Sequence, residues 1–445
     1  MMQQKKVHIM TFGCQMNVSD SEKILALLKT INYEAVASIG EADMVIVNTC
    51  SVRAKAEERI YGILLTMKGE LKRNPDLLIG VGGCVAQQEG ERFLQKIPHL
   101  GFVFGTHNLH LLPQIVRQAE TGKRVSETAF IDDDSRFDLF PDYAGGSGVS
   151  RGVTIMQGCD NFCSYCIVPY VRGREVSRRK ADILAEISTA AAGGVKEVTL
   201  LGQNVNSYGI KGGDGSEFAN LIRDVAKISG IERIRFMTSH PKDLSAPLIA
   251  CYADVEKLCS HIHLPIQSGS DRILALMNRG YTRLEYINKI EQLKSVRPDL
   301  LVTSDIIVGF PGEREEDFQE SLSLMSVVGY SDTYSFVYSP RPETEAAKLP
   351  DNASKAEKSE RLKRLFALQK SLTRSVQSSF VGKRVEVLVE GESKKAGQVY
   401  GRSSGNRTVN LSGSAALIGT LQSPTIIKSL QNSLLGELQQ VKGNI

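Results

Sequence analysis

At 445 residues, 42% hydrophobic and 23% charged, the chain has a globular composition, is too long for one hydrophobic core, and divides into about three units at the usual domain size. No apolar run reaches the ~18 residues that cross a bilayer, and Met1 to Met10 runs into a strand-like segment without an apolar leader. A soluble, cytoplasmic protein with no membrane partner is therefore expected, its eight cysteines reduced and available to metals.

The net charge of +4 conceals an asymmetry, because residues 352–380 carry seven Lys or Arg against two Glu and residues 381–445 carry eight against four. Charge alone describes a solvated basic face; a nucleic-acid partner needs further context.

Residues 1–120 alternate short apolar runs with amphipathic stretches. Lys6 to Phe12 leads to a helix expected to start at the capping box Ser19-Asp20-Ser21-Glu22. Met44 to Val47 precedes a helical pattern from about Ala54 to Arg73, and Leu77 to Val81 precedes another from about Glu89 to Ile97. This pattern predicts an N-terminal doubly wound α/β domain. Residues 121–148 lose the period, collect Asp132-Asp133-Asp134 and Gly145-Gly146-Ser147-Gly148, and read as a linker.

In residues 149–378 strand-like runs recur at Val153–Gln157, Glu197–Gly202, Arg233–Ser239, His261–Gln267, Val302–Gly309 and Thr333–Tyr338. Six βα units predict a central partial (βα)6 barrel, with an amphipathic helix from about Lys355 to Phe380 leading out of it. Residues 379–441 carry short alternating segments such as Arg384 to Val389, the pattern of a small β-barrel.

Cys159, Cys163 and Cys166 place three thiols within eight residues, close enough for one loop to wrap a cubane. A 4Fe-4S cluster normally takes four thiolates, so three leave one iron open to a chelating ligand. Zinc is the poorer reading, since it prefers a closed set of four ligands and no fourth is near in sequence. The loop follows the strand that opens the barrel, on the usual catalytic face. Cys14, Cys50 and Cys84 each follow a predicted parallel strand, so their loops emerge at one sheet edge, where α/β folds assemble sites; they read as a second three-thiolate cluster. Cys251 and Cys259 have no such placement and are expected to be structural.

Cys-x3-Cys-x2-Cys with Tyr165 before the last cysteine resembles the radical S-adenosylmethionine signature. Gly13-Cys14-Gln15-Met16-Asn17, Asn48-Thr49-Cys50-Ser51-Val52-Arg53 and Gly82-Gly83-Cys84 resemble, with it, the methylthiotransferase family over nearly the whole chain. Val168 to Arg178, Leu200 to Asn206 and Thr238-Ser239-His240-Pro241 are most similar to its MiaB-type, tRNA-acting branch. Tyr400-Gly401-Arg402 and Asn406 to Asn410 resemble a TRAM domain, an RNA-binding barrel, which gives the C-terminal charge a partner: cations meeting phosphates position an RNA without reading it. On this reading the tRNA-binding charge sits on a separable unit.

The resemblance implies two 4Fe-4S-type clusters, S-adenosyl-L-methionine as cofactor, a tRNA carrying isopentenyladenosine as substrate, and a flavodoxin- or ferredoxin-like electron donor. It leaves open whether an extra sulfide sits on the N-terminal cluster. One cofactor molecule would methylate sulfur there; another would be cleaved at the barrel cluster to a 5'-deoxyadenosyl radical. The methylthio group would be inserted at carbon 2 of the base 3' of the anticodon, an unactivated aromatic C–H position out of reach of ordinary acid-base catalysis. Tyr165 would lie against the adenine, and Arg174 and Asp305 would contact the cofactor. Asp305 to Glu313 resembles the adenosine-contacting strand, with Glu313 one residue late. Gln203, Asn204, Ser239, His240 and Gln267 line the predicted barrel mouth. No residue stands out as a base at carbon 2. The alternatives are a sister enzyme acting on threonylcarbamoyladenosine in tRNA or on a ribosomal protein, which the Cys-Gln-Met-Asn and Thr-Ser-His-Pro stretches disfavour, and a non-catalytic tRNA-binding iron-sulfur protein.

Overall fold

A computed structural model describes residues 4–51, 54–131, 137, 148–210, 213, 215–351 and 353–438. The acidic run 132–134, the glycine-rich run 145–147, and Val52 and Arg53 lie outside the described residues.

The first unit comprises β1 (Lys5–Thr11), α1 (Gln15–Lys29), β2 (Tyr33–Ala35), β3 (Met44–Thr49), α2 (Ala54–Thr66), α3 (Lys68–Arg73) and β4 (Leu78–Gly83). It continues through α4 (Cys84–Glu89), α5 (Glu91–Lys96), β5 (Phe102–Phe104), α6 (Leu112–Glu120) and β6 (Val125–Glu127). The six strands form one parallel sheet in the order β2-β1-β3-β4-β5-β6. β3 is buried along its whole length, which is why it reads as an unbroken apolar run. The order reverses between β1 and β3, the position where doubly wound sheets open a crevice.

Two local expectations are corrected. α1 begins at Gln15 with Cys14 as its N-cap, so Ser19 to Glu22 lies inside the helix. Those polar residues serve tertiary contacts instead: Ser21 Oγ bonds Thr11 Oγ1 at 2.7 Å, and Ser19 Oγ meets Thr154 Oγ1 at 3.3 Å. Within the segment read as linker, Val125 to Glu127 pairs with β5 as the sheet's edge strand; three residues are too short to show a period.

The second unit runs through β7 (Ser150–Thr154), β8 (Met156–Gln157), α7 (Val168–Arg172), β9 (Val176–Ser177), α8 (Lys180–Ala192), β10 (Glu197–Leu201), α9 (Glu217–Ala226) and β11 (Arg233–Phe236). It continues with α10 (Ala246–Asp254), β12 (His261–His263), α11 (Asp271–Leu276), α12 (Arg283–Val296), β13 (Leu301–Val308), α13 (Glu315–Val328), β14 (Asp332–Val337) and α14 (Lys355–Ser378). β8 and β9 form a short antiparallel pair. The other six strands are parallel, in ladders β7-β10-β11 and β12-β13-β14 that meet where Ile234 bridges Leu258. This is the expected partial barrel. One core, from Val153 to Leu365, fills it and seats α14 on its flank.

The third unit is a curled sheet of β15 (Val387–Glu392), β16 (Gln398–Ser403), β17 (Thr408–Ser412), β18 (Leu421–Gln422), β19 (Thr425–Ser429) and β20 (Leu434–Glu437), in the order β18-β15-β16-β17-β20-β19. A bridge from Arg384 to Thr425 draws its ends together around Val387, Val399, Leu411 and Leu434.

This unit is not separable in the way the sequence suggests. Residues 402–407 meet the N-terminal end of every strand of the partial barrel. Arg402 Nη2 reaches Ser150 Oγ at 3.4 Å and Glu197 Oε1 at 2.7 Å, and Arg233 Nη1 donates to Arg402 O at 2.5 Å. Ser260 N donates to Ser404 Oγ at 2.8 Å, Gly405 lies against Leu301, and Arg407 Nη2 donates to Ser331 O at 2.5 Å. The loop is the floor of the barrel. Sequence patterning hides it because every contact is between distant segments.

Candidate metal centres

The N-terminal thiols are brought together by three strand-end turns. Gly13 adopts φ +117°, and a Cβ there would lie 2.3 Å from Cys50 Cβ; only glycine lets the Cys14 and Cys50 turns approach so closely. Asn17 and Asn48 lock them: Asn17 Nδ2 donates to Asn48 Oδ1 at 3.1 Å and Thr49 O at 2.9 Å, and Asn48 Nδ2 returns a bond to Asn17 O at 2.9 Å. The third turn is tied to the second by Thr49 Oγ1, which donates to Gly82 O at 2.6 Å and accepts from Val85 N at 3.1 Å. Cys84 then opens α4.

The barrel unit completes this centre. α7 lays Ile167, Tyr170 and Val171 against Cys84, and Arg172 Nε donates to Cys84 Sγ at 3.3 Å. Cys14 is exposed, whereas Cys50 and Cys84 are buried. A hydrogen bond with Cys50, seconded by the nearby Arg172 charge, outweighs desolvation of the sulfur and lowers the Cys14 thiol to about 6, which favours the thiolate at neutral pH.

The barrel trio lies on the loop after β8. Phe162 takes the left-handed conformation, φ 44°, at the turn between Cys159 and Cys163. Asn278 Nδ2 donates to Phe162 O at 3.0 Å, and Ser164 is held by Met277 O and Leu276 O. Arg279 Nη1 donates to Cys163 Sγ at 3.2 Å while its Nη2 donates to Pro265 O at 2.7 Å. His240 Nε2 stands 3.9 Å from the same sulfur. Its Nδ1 accepts from Lys242 N at 3.2 Å, which places the proton on Nε2. Burial, with Arg279 and the lysines Lys242 and Lys289, lowers His240 to about 2, so it is neutral. Burial pushes Cys159 and Cys166 up to about 12; a metal bound by this loop would have to displace protons.

Both trios suit clusters rather than single ions. A lone metal draws its ligands to one point. A cubane instead binds each thiolate through a different iron, and its ligands surround a volume. Soft thiols and cationic neighbours at Cys84 and Cys163 fit that group.

The other predicted residues are dispersed. Tyr165 sits with Ile273, Met277, Phe310 and Tyr338, its hydroxyl 3.4 Å from Arg279 Nη1. Arg174, largely exposed, lies over the Phe162 ring at 4.5 Å and 3.6 Å from Asp160. Asp305 is on β13, 3.5 Å from His263 Nε2. Gln203 Oε1 accepts from Gly158 N at 2.6 Å, and Asn204 Nδ2 donates to Asp243 at 2.7 Å, so both brace loops at the mouth. Ser239 is buried, and Gln267, at φ 73°, bonds β13 through its backbone. Glu313 turns away, taking Gly309 N at 2.6 Å and Arg361 of α14 at 2.8 Å; its late position reflects a structural tie. Cys251 and Cys259 are buried apart from both trios, Cys251 giving its thiol to Ala219 O at 3.6 Å. Arg279 lies in no motif of the sequence, and Asp20 reads there as part of a capping box. For Arg172 a signal existed, since it lies in the Val168 to Arg178 stretch.

The two centres share one strut. Arg172 touches Cys84, Gly173 O accepts from Cys159 N at 3.3 Å, and Arg174 packs on Phe162. Three consecutive residues span from one thiol set to the other.

Comparison with known proteins follows this architecture. Residues 6–105 match the Uncharacterized protein family UPF0004, residues 153–325 the Radical SAM superfamily, and residues 378–438 the TRAM domain. The radical S-adenosylmethionine methyltransferase TsrM from Kitasatospora setae has a similar fold, with TM-score 0.58 at 12% identity over 78% of this chain and 74% of that one. The tRNA-2-methylthio-N(6)-dimethylallyladenosine synthase of Geobacter sulfurreducens is 60% identical over 100% of both chains, and that of Geotalea uraniireducens is 60% identical over 98% of this chain and 100% of its own. The chain therefore belongs to the family of tRNA-2-methylthio-N(6)-dimethylallyladenosine synthases, methylthiotransferases of the radical S-adenosylmethionine superfamily.

Proposed function

We propose that this protein inserts a methylthio group at carbon 2 of isopentenyladenosine, 3' of the anticodon in tRNA, using two 4Fe-4S-type clusters held by Cys14, Cys50 and Cys84 and by Cys159, Cys163 and Cys166. Membership of the superfamily implies the barrel cluster and S-adenosyl-L-methionine; an external flavodoxin- or ferredoxin-like protein would supply electrons. When bound, these groups supply a methylated sulfur on one side and a 5'-deoxyadenosyl radical on the other. The chain's own residues fix the geometry between them. Tyr165, Arg174 and Asp305 are proposed cofactor contacts, and the neutral His240 and cationic Arg279 flank the Cys163 ligand without competing for iron.

The observation that carries this reading is the strut Arg172-Gly173-Arg174, which sets two three-thiol groups side by side. A staple gains from a closed shell of four ligands, whereas the sequence groups three cysteines at each centre. The test is a pair of triple Cys→Ala variants. Loss of Cys159, Cys163 and Cys166 should halve the ~8 irons expected of two cubanes, abolish 5'-deoxyadenosine, and retain S-adenosylhomocysteine formed before reductant is added. Loss of Cys14, Cys50 and Cys84 should likewise halve the iron, but retain 5'-deoxyadenosine formation and abolish the early S-adenosylhomocysteine. Methylthiolated tRNA from a folded Cys14, Cys50, Cys84 variant would end the two-cluster proposal.

A further inference from the structure

Arg172 belongs to the barrel unit, yet its head group lies inside the N-terminal centre. Its side chain is 3% exposed, with Nε on Cys84 Sγ at 3.3 Å and Nη2 on Asp20 Oδ2 at 2.8 Å, and Asp20 is 3% exposed as well. Burying a guanidinium is costly unless its charge is answered. Asp20 answers part of it, but the same carboxylate also faces Lys23 on α1. The guanidinium charge also faces the sulfur atoms of Cys84 and Cys14.

A link between units needs no charge aimed at a thiol; the apolar contact of α7 with Cys84 already joins them. The guanidinium fork does something the apolar contact cannot. It fixes the Cys84 side chain by a directed bond while its other arm is anchored on α1, the helix that Cys14 caps. Charge and hydrogen bonds at the sulfurs set the reduction potential of an iron-sulfur cluster.

We propose that Arg172 is a positioning residue of the N-terminal centre: inserted from the barrel unit, it orients Cys84 and raises the reduction potential of the cluster there, and Asp20 trims that effect. This rests on the two-cluster reading above. Reduction adds an electron to the cluster, so a neighbouring positive charge favours the reduced form and a neighbouring carboxylate opposes it.

The experiment isolates the N-terminal cluster in full-length protein carrying C159A, C163A and C166A, and compares R172Q, R172K and D20N in that background. Iron per chain is measured first, then the midpoint potential by redox titration followed by electron paramagnetic resonance. R172Q should lower the potential and D20N should raise it, each changing the oxidised-to-reduced ratio at fixed potential at least tenfold, about 59 mV for one electron. R172K, which keeps the charge but loses the fork, should fall between R172Q and the parent. Unchanged potentials, or shifts of the same sign in R172Q and D20N, would overturn the proposal. Should R172Q fail to hold iron, D20N decides alone, since it keeps Arg172 and the side-chain volume: a potential that does not rise refutes the role. A parent background without iron would instead refute the two-cluster reading.

Discussion

Arg402 of the C-terminal sheet donates to Glu197 at 2.7 Å, and Glu197, fully buried at the start of β10, also accepts from Arg235 at 2.9 Å. The carboxylate therefore needs both domains to be satisfied. Arg402→Ala should destabilise the protein by about 2 kcal/mol, the usual scale for a hydrogen bond to a charged group, read as a lower urea midpoint. Truncation after residue 378 should yield a barrel that unfolds earlier and aggregates. A truncated protein with an unchanged melting temperature would show that the floor is dispensable.

Because removal of the domain should disturb the barrel, its RNA-binding role is better tested at the surface. Lys383, Arg384, Lys394 and Lys395 are exposed, and reversing these four charges should weaken tRNA binding without lowering stability. The log-log salt slope, about 0.7 to 0.9 per phosphate contact, should fall in step. Equal dissociation constants and equal slopes for variant and parent would place the tRNA elsewhere.

Arg279 is the buried cation of the barrel centre, and its bonds to Cys163 Sγ and Pro265 O leave no room for a shorter side chain to serve both. Arg279→Gln should lower stability by about 2 kcal/mol and slow 5'-deoxyadenosine formation at least tenfold, with Arg279→Lys intermediate. Full activity in the Gln variant, with iron intact, would show that the Cys163 contact is incidental.

In iron-free protein Cys14 should be the most reactive thiol. Its folded value of about 6 lies below the ordinary 9.0, so the thiolate dominates above pH ~6 and is lost as pH falls through that value. Alkylation by iodoacetamide, located by peptide mass spectrometry, should rise around pH 6 at Cys14, while Cys251, which burial raises to about 11, stays unlabelled at neutral pH. A Cys14 profile centred near 9 would remove the assigned influence of Cys50 and Arg172.

Much of this architecture is written locally. Parallel strands buried on both faces leave continuous apolar runs, and the six cysteines proposed as cluster ligands fall at strand ends that those runs reveal. What stayed hidden is wiring between remote segments. Arg279 meets Cys163 across 116 residues, Arg172 meets Asp20 across 152, and Arg402 meets Glu197 across 205. No periodicity records such pairs. The Ser19 to Glu22 pattern misled for the same reason, since those polar residues answer partners on other elements rather than the start of their own helix.

The loop of residues 402–407 covers the strand origins beneath the packed core, so the barrel is a cup whose mouth lies at the opposite end. On the proposed reaction, spent cofactor formed beneath a docked anticodon loop would have no rear exit, so modified tRNA should depart before 5'-deoxyadenosine and methionine do. Product inhibition would report that order: 5'-deoxyadenosine should compete with fresh cofactor for the empty cup, while tRNA, bound above it, should act as a stopper.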